Sequence, residues 1–292
     1  MTRLEWQVAV PAGAEVAERP VWDDLDGCLL WVDITAGSVH RYRPGLGDEV
    51  VVQLDVPVGA AGLRLGGGYV LAAADGFHLI DQSGAREAGP VRPRDMPQDV
   101  RFNDGACDPG GRFWAGTVAY DGRQGGGALY RFDPDGSIHN VLGPVTESNG
   151  LGWSPEAETF YYVDSGEPRV RAFDFDPEAG KLGRARDFVV LAADQGTPDG
   201  LAVDEEGCVW LALWGGATVL RYSNSGTLLD RFTLPVTLVT CPGFGGPDLG
   251  DLYVATGWEG MSMQERVSQP LAGHIFHARP GVSGLPALRF GA

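Results

Sequence analysis

Phe160-Tyr161-Tyr162-Val163-Asp164-Ser165 holds the unit on which the reading of the chain turns, an aromatic followed by aliphatic residues at Tyr162-Val163-Asp164. Aromatic and β-branched residues favour a pleated, half-buried strand. The unit recurs as Trp31-Val32-Asp33, Tyr69-Val70-Leu71, Trp114-Ala115-Gly116, Trp210-Leu211-Ala212 and Tyr253-Val254-Ala255, with leading aromatics 38, 45, 48, 48 and 43 residues apart. After each comes a turn and a further strand: Val39 to Tyr42, Phe77 to Ile80, Ala128 to Phe132, Val170 to Phe173, Thr218 to Tyr222 and Ile275 to His277. A period near 45 with about four short strands per unit is the mark of propeller blades. Six copies predict an all-β, six-bladed propeller of four-stranded antiparallel blades around a central channel. A four-stranded sheet cannot bury both faces alone, so the aromatics read as core between blades. Val16 to Leu29 supplies a strand before the first marker, and the C-terminal strands are expected beside it to close the ring. No linker interrupts the pattern, which predicts one domain over residues 1–292.

Composition agrees. Forty-four glycines and 20 prolines in 292 residues point to many turns and short strands. No amphipathic helical stretch stands out. Arg3, Glu5 and Gln7 interrupt the first ten residues, and no run of 18 apolar residues occurs, so a soluble cytoplasmic protein is expected. A net charge of −17 argues against nucleic-acid and anionic-membrane partners, and no protein partner is inferable. The single lysine, Lys181, lies in a turn-like segment, which argues against Schiff-base and Walker-type chemistry. Cys28, Cys107, Cys208 and Cys241 form no Cys-x-x-Cys pair and read as buried free thiols. His274 and His277, three apart on an expected strand, fall on opposite faces.

A second periodicity precedes the markers by 11 to 13 residues: Glu18-Arg19-Pro20-Val21-Trp22, Asn103-Asp104-Gly105, Asn149-Gly150-Leu151, Asp199-Gly200-Leu201 and Thr240-Cys241-Pro242. The matching stretch of the second blade, Gly59-Ala60-Ala61-Gly62, is small and apolar. Equivalent positions of different blades lie on a ring about the axis, so Glu18, Asn103, Asn149 and Asp199 are expected to point into the channel. Any one Asn-Gly or Asp-Gly pair alone reads as a turn element. Two carboxylates and two amides facing one space call for a partner. A divalent cation matches their charge, and the all-oxygen set favours a hard ion such as calcium, magnesium or manganese, although zinc also accepts it.

These residues resemble the regucalcin and gluconolactonase family of six-bladed, metal-dependent lactonases, the senescence-marker protein family. The resemblance runs from about Glu15 to Trp258. Its strongest pieces are Ala17-Glu18-Arg19-Pro20-Val21-Trp22, Arg101-Phe102-Asn103-Asp104-Gly105, Ser148-Asn149-Gly150-Leu151, Phe160 to Ser165, Pro198-Asp199-Gly200-Leu201 and Phe244-Gly245-Gly246. It implies that Glu18, Asn149 and Asp199 bind the metal and that Arg101 and Asn103 contact substrate oxygens. It also implies that Asp199 is the general base. Asp121, in the loop after Ala115-Gly116-Thr117, is the candidate contact to sugar hydroxyls, although it is shorter than the Glu of some relatives. Glu147 and Leu238 depart from the family pattern.

The implied activity is hydrolysis of a small sugar lactone to its aldonic acid. A cation touching the carbonyl oxygen offsets the negative charge that develops there as water attacks. A carboxylate takes the proton from that water, an effect worth about 10²–10⁴-fold. Arg101 offers a fork suited to vicinal hydroxyls or a carboxylate product. No Gly-x-Ser-x-Gly motif or axial histidine suggests a nucleophile. Two alternatives stay open: a phosphotriesterase-like hydrolase, and a non-catalytic calcium-binding propeller.

Overall fold

Each of the six aromatic markers lies on the second strand of a four-stranded antiparallel sheet in the computed structural model, which describes residues 4–291. The six sheets form a ring. Their inner strands are Ala17–Asp23, Val58–Leu63, Val100–Cys107, Ser148–Trp153, Thr197–Val203 and Val239–Gly245. Each inner strand packs against the inner strands of its two neighbours, which leaves a channel along the axis. The fold is the six-bladed β-propeller that the repeat predicts.

The apolar residues form six clusters, one at each junction between blades. Trp114 and Leu129 of the third blade meet Leu151, Trp153 and Phe160 of the fourth, and Val163 and Val170 of the fourth meet Leu211 and Leu220 of the fifth. Burying each such side chain contributes about 1.5–3 kcal/mol, so the ring is held by its junctions. Trp114 and Trp210 are fully buried, and a buried indole N–H needs an acceptor. Each finds an aspartate six residues earlier: Asp108 Oδ2 at 2.8 Å and Asp204 Oδ2 at 2.9 Å. The other oxygen of each carboxylate accepts turn N–H groups, Gly110 and Arg112 for Asp108, Glu206 and Cys208 for Asp204. One side chain thus closes the hairpin and satisfies the core tryptophan.

Closure differs in detail from the expectation. The C-terminal strands do pack beside Ala17–Asp23, but the strand that completes the sixth sheet is Gln7–Val10, paired antiparallel with Ile275–Ala278. The sequence reading also misses a short helix, Met263–Ser268, in the segment between the last two strands. Its start is written locally, because Ser262 and Glu265 form a reciprocal capping box.

After the last strand the chain crosses the end of the channel toward which the inner strands run. Glu205 N donates to Ser283 O and Gly284 N to Leu249 O. Arg289 Nη2 then donates to Asp23 and Asp24, each at 2.7 Å. Phe290 adds its N–H to Leu63 O and stacks on Phe132 with ring centroids 5.3 Å apart. Five blades are tied by this strap. Its Leu285 to Leu288 stretch lines a largely apolar cavity with Trp22, Cys107, Trp153, Val203 and Phe244.

Candidate active site

All six inner strands break register at the same place, between Glu18 and Val21, Val58 and Ala60, Phe102 and Gly105, Ser148 and Leu151, Pro198 and Leu201, and Val239 and Pro242. A β-bulge bends its strand and re-aims a side chain. Here the bulges fall at or just after the axial residue of each strand. Small residues allow the inner strands to converge. A Cβ on Gly59 would lie 2.6 Å from the carbonyl oxygen of Phe102, which explains why the second blade carries no axial side chain. The Asn-Gly and Asp-Gly pairs therefore lie within strands and serve close approach, not turns.

Glu18, Asn103, Asn149 and Asp199 line one cavity of about 210 Å³, and all four are buried. Arg101, Glu147, Ser165, Thr197, Trp214 and Glu259 complete its polar and aromatic wall. Glu18 Oε2 accepts from the N–H of Arg19 at 2.5 Å. Arg19 takes a positive φ of 49°, uncommon outside glycine, and its guanidinium reaches Asp104 Oδ2 at 3.4 Å and Leu151 O at 3.3 Å.

The orientation of Asn149 follows from its neighbour. Ser165 Oγ donates its only proton to Pro198 O at 2.7 Å, so it accepts from Asn149 Nδ2 at 3.1 Å. That leaves Asn149 Oδ1 buried with no hydrogen-bond partner among the described residues. An orphaned buried acceptor costs roughly 1–3 kcal/mol. Asp199, which also touches the Asn149 amide, and Glu18 have no cationic side chain within ion-pair distance among the described residues. Burial, then repulsion from Asp104, raises Glu18 from 4.5 to about 8. Burial, then repulsion from Glu18, Glu147 and Asp104, raises Asp199 well above its ordinary value. Two carboxylates held against their charge beside a bare amide oxygen fit a hard divalent cation, whose oxygen ligands they would become.

Asn103 is placed differently. Its Oδ1 accepts from Arg101 Nη1 at 2.7 Å and its Nδ2 donates to Ser148 O at 3.2 Å. Its oxygen is thus taken up, and the Arg101–Asn103 pair forms one wall of the cavity. Thr240, in the same repeat phase, turns its hydroxyl to Ala17 O at 2.6 Å and does not line the cavity. Asp121 is not brought to the cavity: it is exposed and ion-paired with Arg123 Nη1 at 3.0 Å, which also holds Asp99. Leu238 bridges Trp214 and lies outside the lining.

Sequence reasoning passes over Ser165, Thr197, Trp214 and Glu259. Ser165 ends the quoted Phe160 to Ser165 run, and Trp214 ends the second strand of its blade, so strand ends at the Glu18 face could have flagged both. Glu259 comes from the segment before the last strand and has no counterpart in the repeat. Two further acidic clusters, Asp23 with Asp26 and Cys28, and Asp204 with Glu206 and Cys208, lie away from this cavity. Their central carboxylates are occupied by Arg289 and by Arg221 and Trp210.

Residues 16–257 match the family described as "SMP-30/Gluconolactonase/LRE-like region". Regucalcin of Xenopus laevis is 34% identical over 297 residues, covering 99% of each chain. The 6-deoxy-6-sulfogluconolactonase of Pseudomonas putida is 36% identical, covering 92% of each. Among solved structures, a calcium-binding protein, regucalcin, from Agrobacterium tumefaciens superposes with a TM-score of 0.94 at 26% identity, covering 99% of this chain and 98% of that one.

Proposed function

The chain belongs to the SMP-30/gluconolactonase/LRE-like family, and from that premise we propose that it hydrolyses a small sugar lactone to its aldonic acid with a divalent cation held by Glu18, Asn149 and Asp199. The observation that carries the reading is the bare, buried Asn149 Oδ1 beside two carboxylates that no cationic side chain pairs among the described residues. Calcium is the first choice, with zinc, manganese and magnesium as alternatives. When bound, the cation supplies Lewis-acid polarisation of the lactone carbonyl.

The protein's own groups account for the rest. Asp199 accepts the proton of the attacking water at a carboxylate oxygen. Arg101, held by Asn103 Oδ1 and Phe102 O, presents its remaining N–H groups to substrate oxygens. The Asn103 amide is fixed by Ser148 O and so holds Arg101 in place as substrate enters. The strap at the far end leaves the Glu18 face as the way in. We read all six blades as one domain.

The test is a pH-stat screen of glucono-, xylono- and arabinolactone and of paraoxon, with and without chelator. Chelator-sensitive lactone hydrolysis supports the reading. Turnover of paraoxon alone favours a phosphotriesterase, and cation binding without turnover of either class favours a binding protein.

A further inference from the structure

The cavity wall is uneven in charge. Four carboxylates line it, Glu18, Glu147, Asp199 and Glu259, against one guanidinium, Arg101. A guanidinium facing a cavity is ordinarily an anion receptor, because its fork matches carboxylate and phosphate. Arg101 is differently set. Two of its interactions are to Phe102 O and Asn103 Oδ1, and no carboxylate lies within ion-pair distance of it among the described residues. Glu147 and Glu259 are nevertheless the carboxylates whose charge acts on it, from two different blades. Both line the cavity with it, so two carboxylates stand there against one guanidinium.

Glu18 and Asp199 belong to the donor set of the lactonase reading, on which this inference rests, and the cation offsets them there. Glu147 and Glu259 have no such partner among the described residues. An entering molecule therefore meets a net negative field, focused by low-dielectric walls. We infer that Glu147 and Glu259 restrict the site to uncharged lactones: they turn away substrates bearing a carboxylate, sulfonate or phosphate and weaken retention of the anionic product. Arg101 is then a hydrogen-bond donor to neutral oxygens, its charge already balanced.

The experiment compares kcat/KM for glucono-1,5-lactone and for its 6-phosphate, with the calcium-loaded protein and its Glu147→Gln, Glu259→Gln and Glu147→Asp variants. A unit charge about 8 Å from the phosphate, at a dielectric between that of a protein surface and water, is worth roughly 3- to 30-fold. The wild type should prefer the neutral lactone. Each Gln variant should shift the ratio toward the phosphate by that factor, and Glu147→Asp should keep the wild-type ratio. Calorimetry of gluconate binding gives a second readout, in which each Gln variant should bind more tightly while affinity for glucitol stays level. If neither the ratio nor the gluconate affinity moves, the inference is overturned. If no lactone is turned over, the lactonase reading fails, and the gluconate titration still decides whether these two residues exclude anions.

Discussion

The backbone of Gly150 faces that of Asp199 so closely that a methyl group added to Gly150 would lie 2.5 Å from the Asp199 carbonyl oxygen. These two strands carry Asn149 and Asp199, and the contact sets how near their side chains come. Gly150→Ala should push the strands apart. The expected cost is about 1–3 kcal/mol of stability, with weaker cation binding on top. Thermal unfolding with and without calcium separates the two effects: an intact calcium-induced rise in Tm would mean that strand spacing does not set the site.

Glu18→Gln and Asn149→Ala remove a charge and an oxygen at the axis, away from the inter-blade clusters. Both should keep the β-rich fold and lose bound metal and turnover. Elemental analysis after dialysis is the check. Metal content equal to wild type in both variants would falsify the assignment.

Asp199→Asn keeps an oxygen at the site and removes the base. At saturating metal its rate should remain about 10²–10⁴-fold below wild type. Recovery of the wild-type rate under those conditions would assign Asp199 to ligation alone. Arg101→Ala and Asn103→Ala should act on substrate positioning and leave metal affinity near normal. Asp121→Ala, at an exposed residue paired with Arg123, should change kcat/KM far less than Arg101→Ala.

The metal-free protein should lose stability as pH rises. Folded Glu18 holds its proton up to about pH 8, whereas the unfolded chain releases it near 4.5. Between those values the folded state binds more protons, so unfolding becomes easier by roughly 1.4 kcal/mol per pH unit from Glu18 alone. Asp199 adds in the same direction. Urea titrations from pH 4.5 to 8 in chelator should show falling midpoints, and calcium should restore stability most at the alkaline end. A flat profile in chelator would contradict the burial of these carboxylates without a partner.

Much of this was legible in the sequence because a propeller writes its geometry as a period. The spacing from Trp31 through Tyr253 counted the blades, and a shared phase gathered Glu18, Asn103, Asn149 and Asp199, all of which line the cavity. Residues outside the period stayed hidden. Glu259 comes from a segment particular to the last blade, and Gln7–Val10 joins a sheet whose other strands begin more than two hundred residues later. Phase also says which strand a side chain sits on and not which partner it takes. Thr240 shares the phase of Glu18 yet bonds to Ala17 O. Asp121 lay near a motif in sequence, but the half-buried Arg123 holds it at the surface.

The pairing of Val8 with Phe276 has a consequence for how the ring comes to exist. Chains emerge from the ribosome N-terminus first, and domains rich in distant contacts fold slowly. Gln7–Val10 is made before the other strands and has no sheet to join until Ile275–Ala278 has been synthesised. Five sheets can assemble from neighbouring sequence during translation, each by local hairpins. In the sixth, Val239–Gly245, Asp251–Thr256 and Ile275–Ala278 are also neighbours in sequence, and only its outer strand waits for Gln7–Val10 to meet Ile275–Ala278. Bringing them together costs loop-closure entropy that grows only slowly with length, and preformed blades reduce it further by holding the ends on one curved wall. Docking of this outer strand is therefore the late, non-local step of assembly.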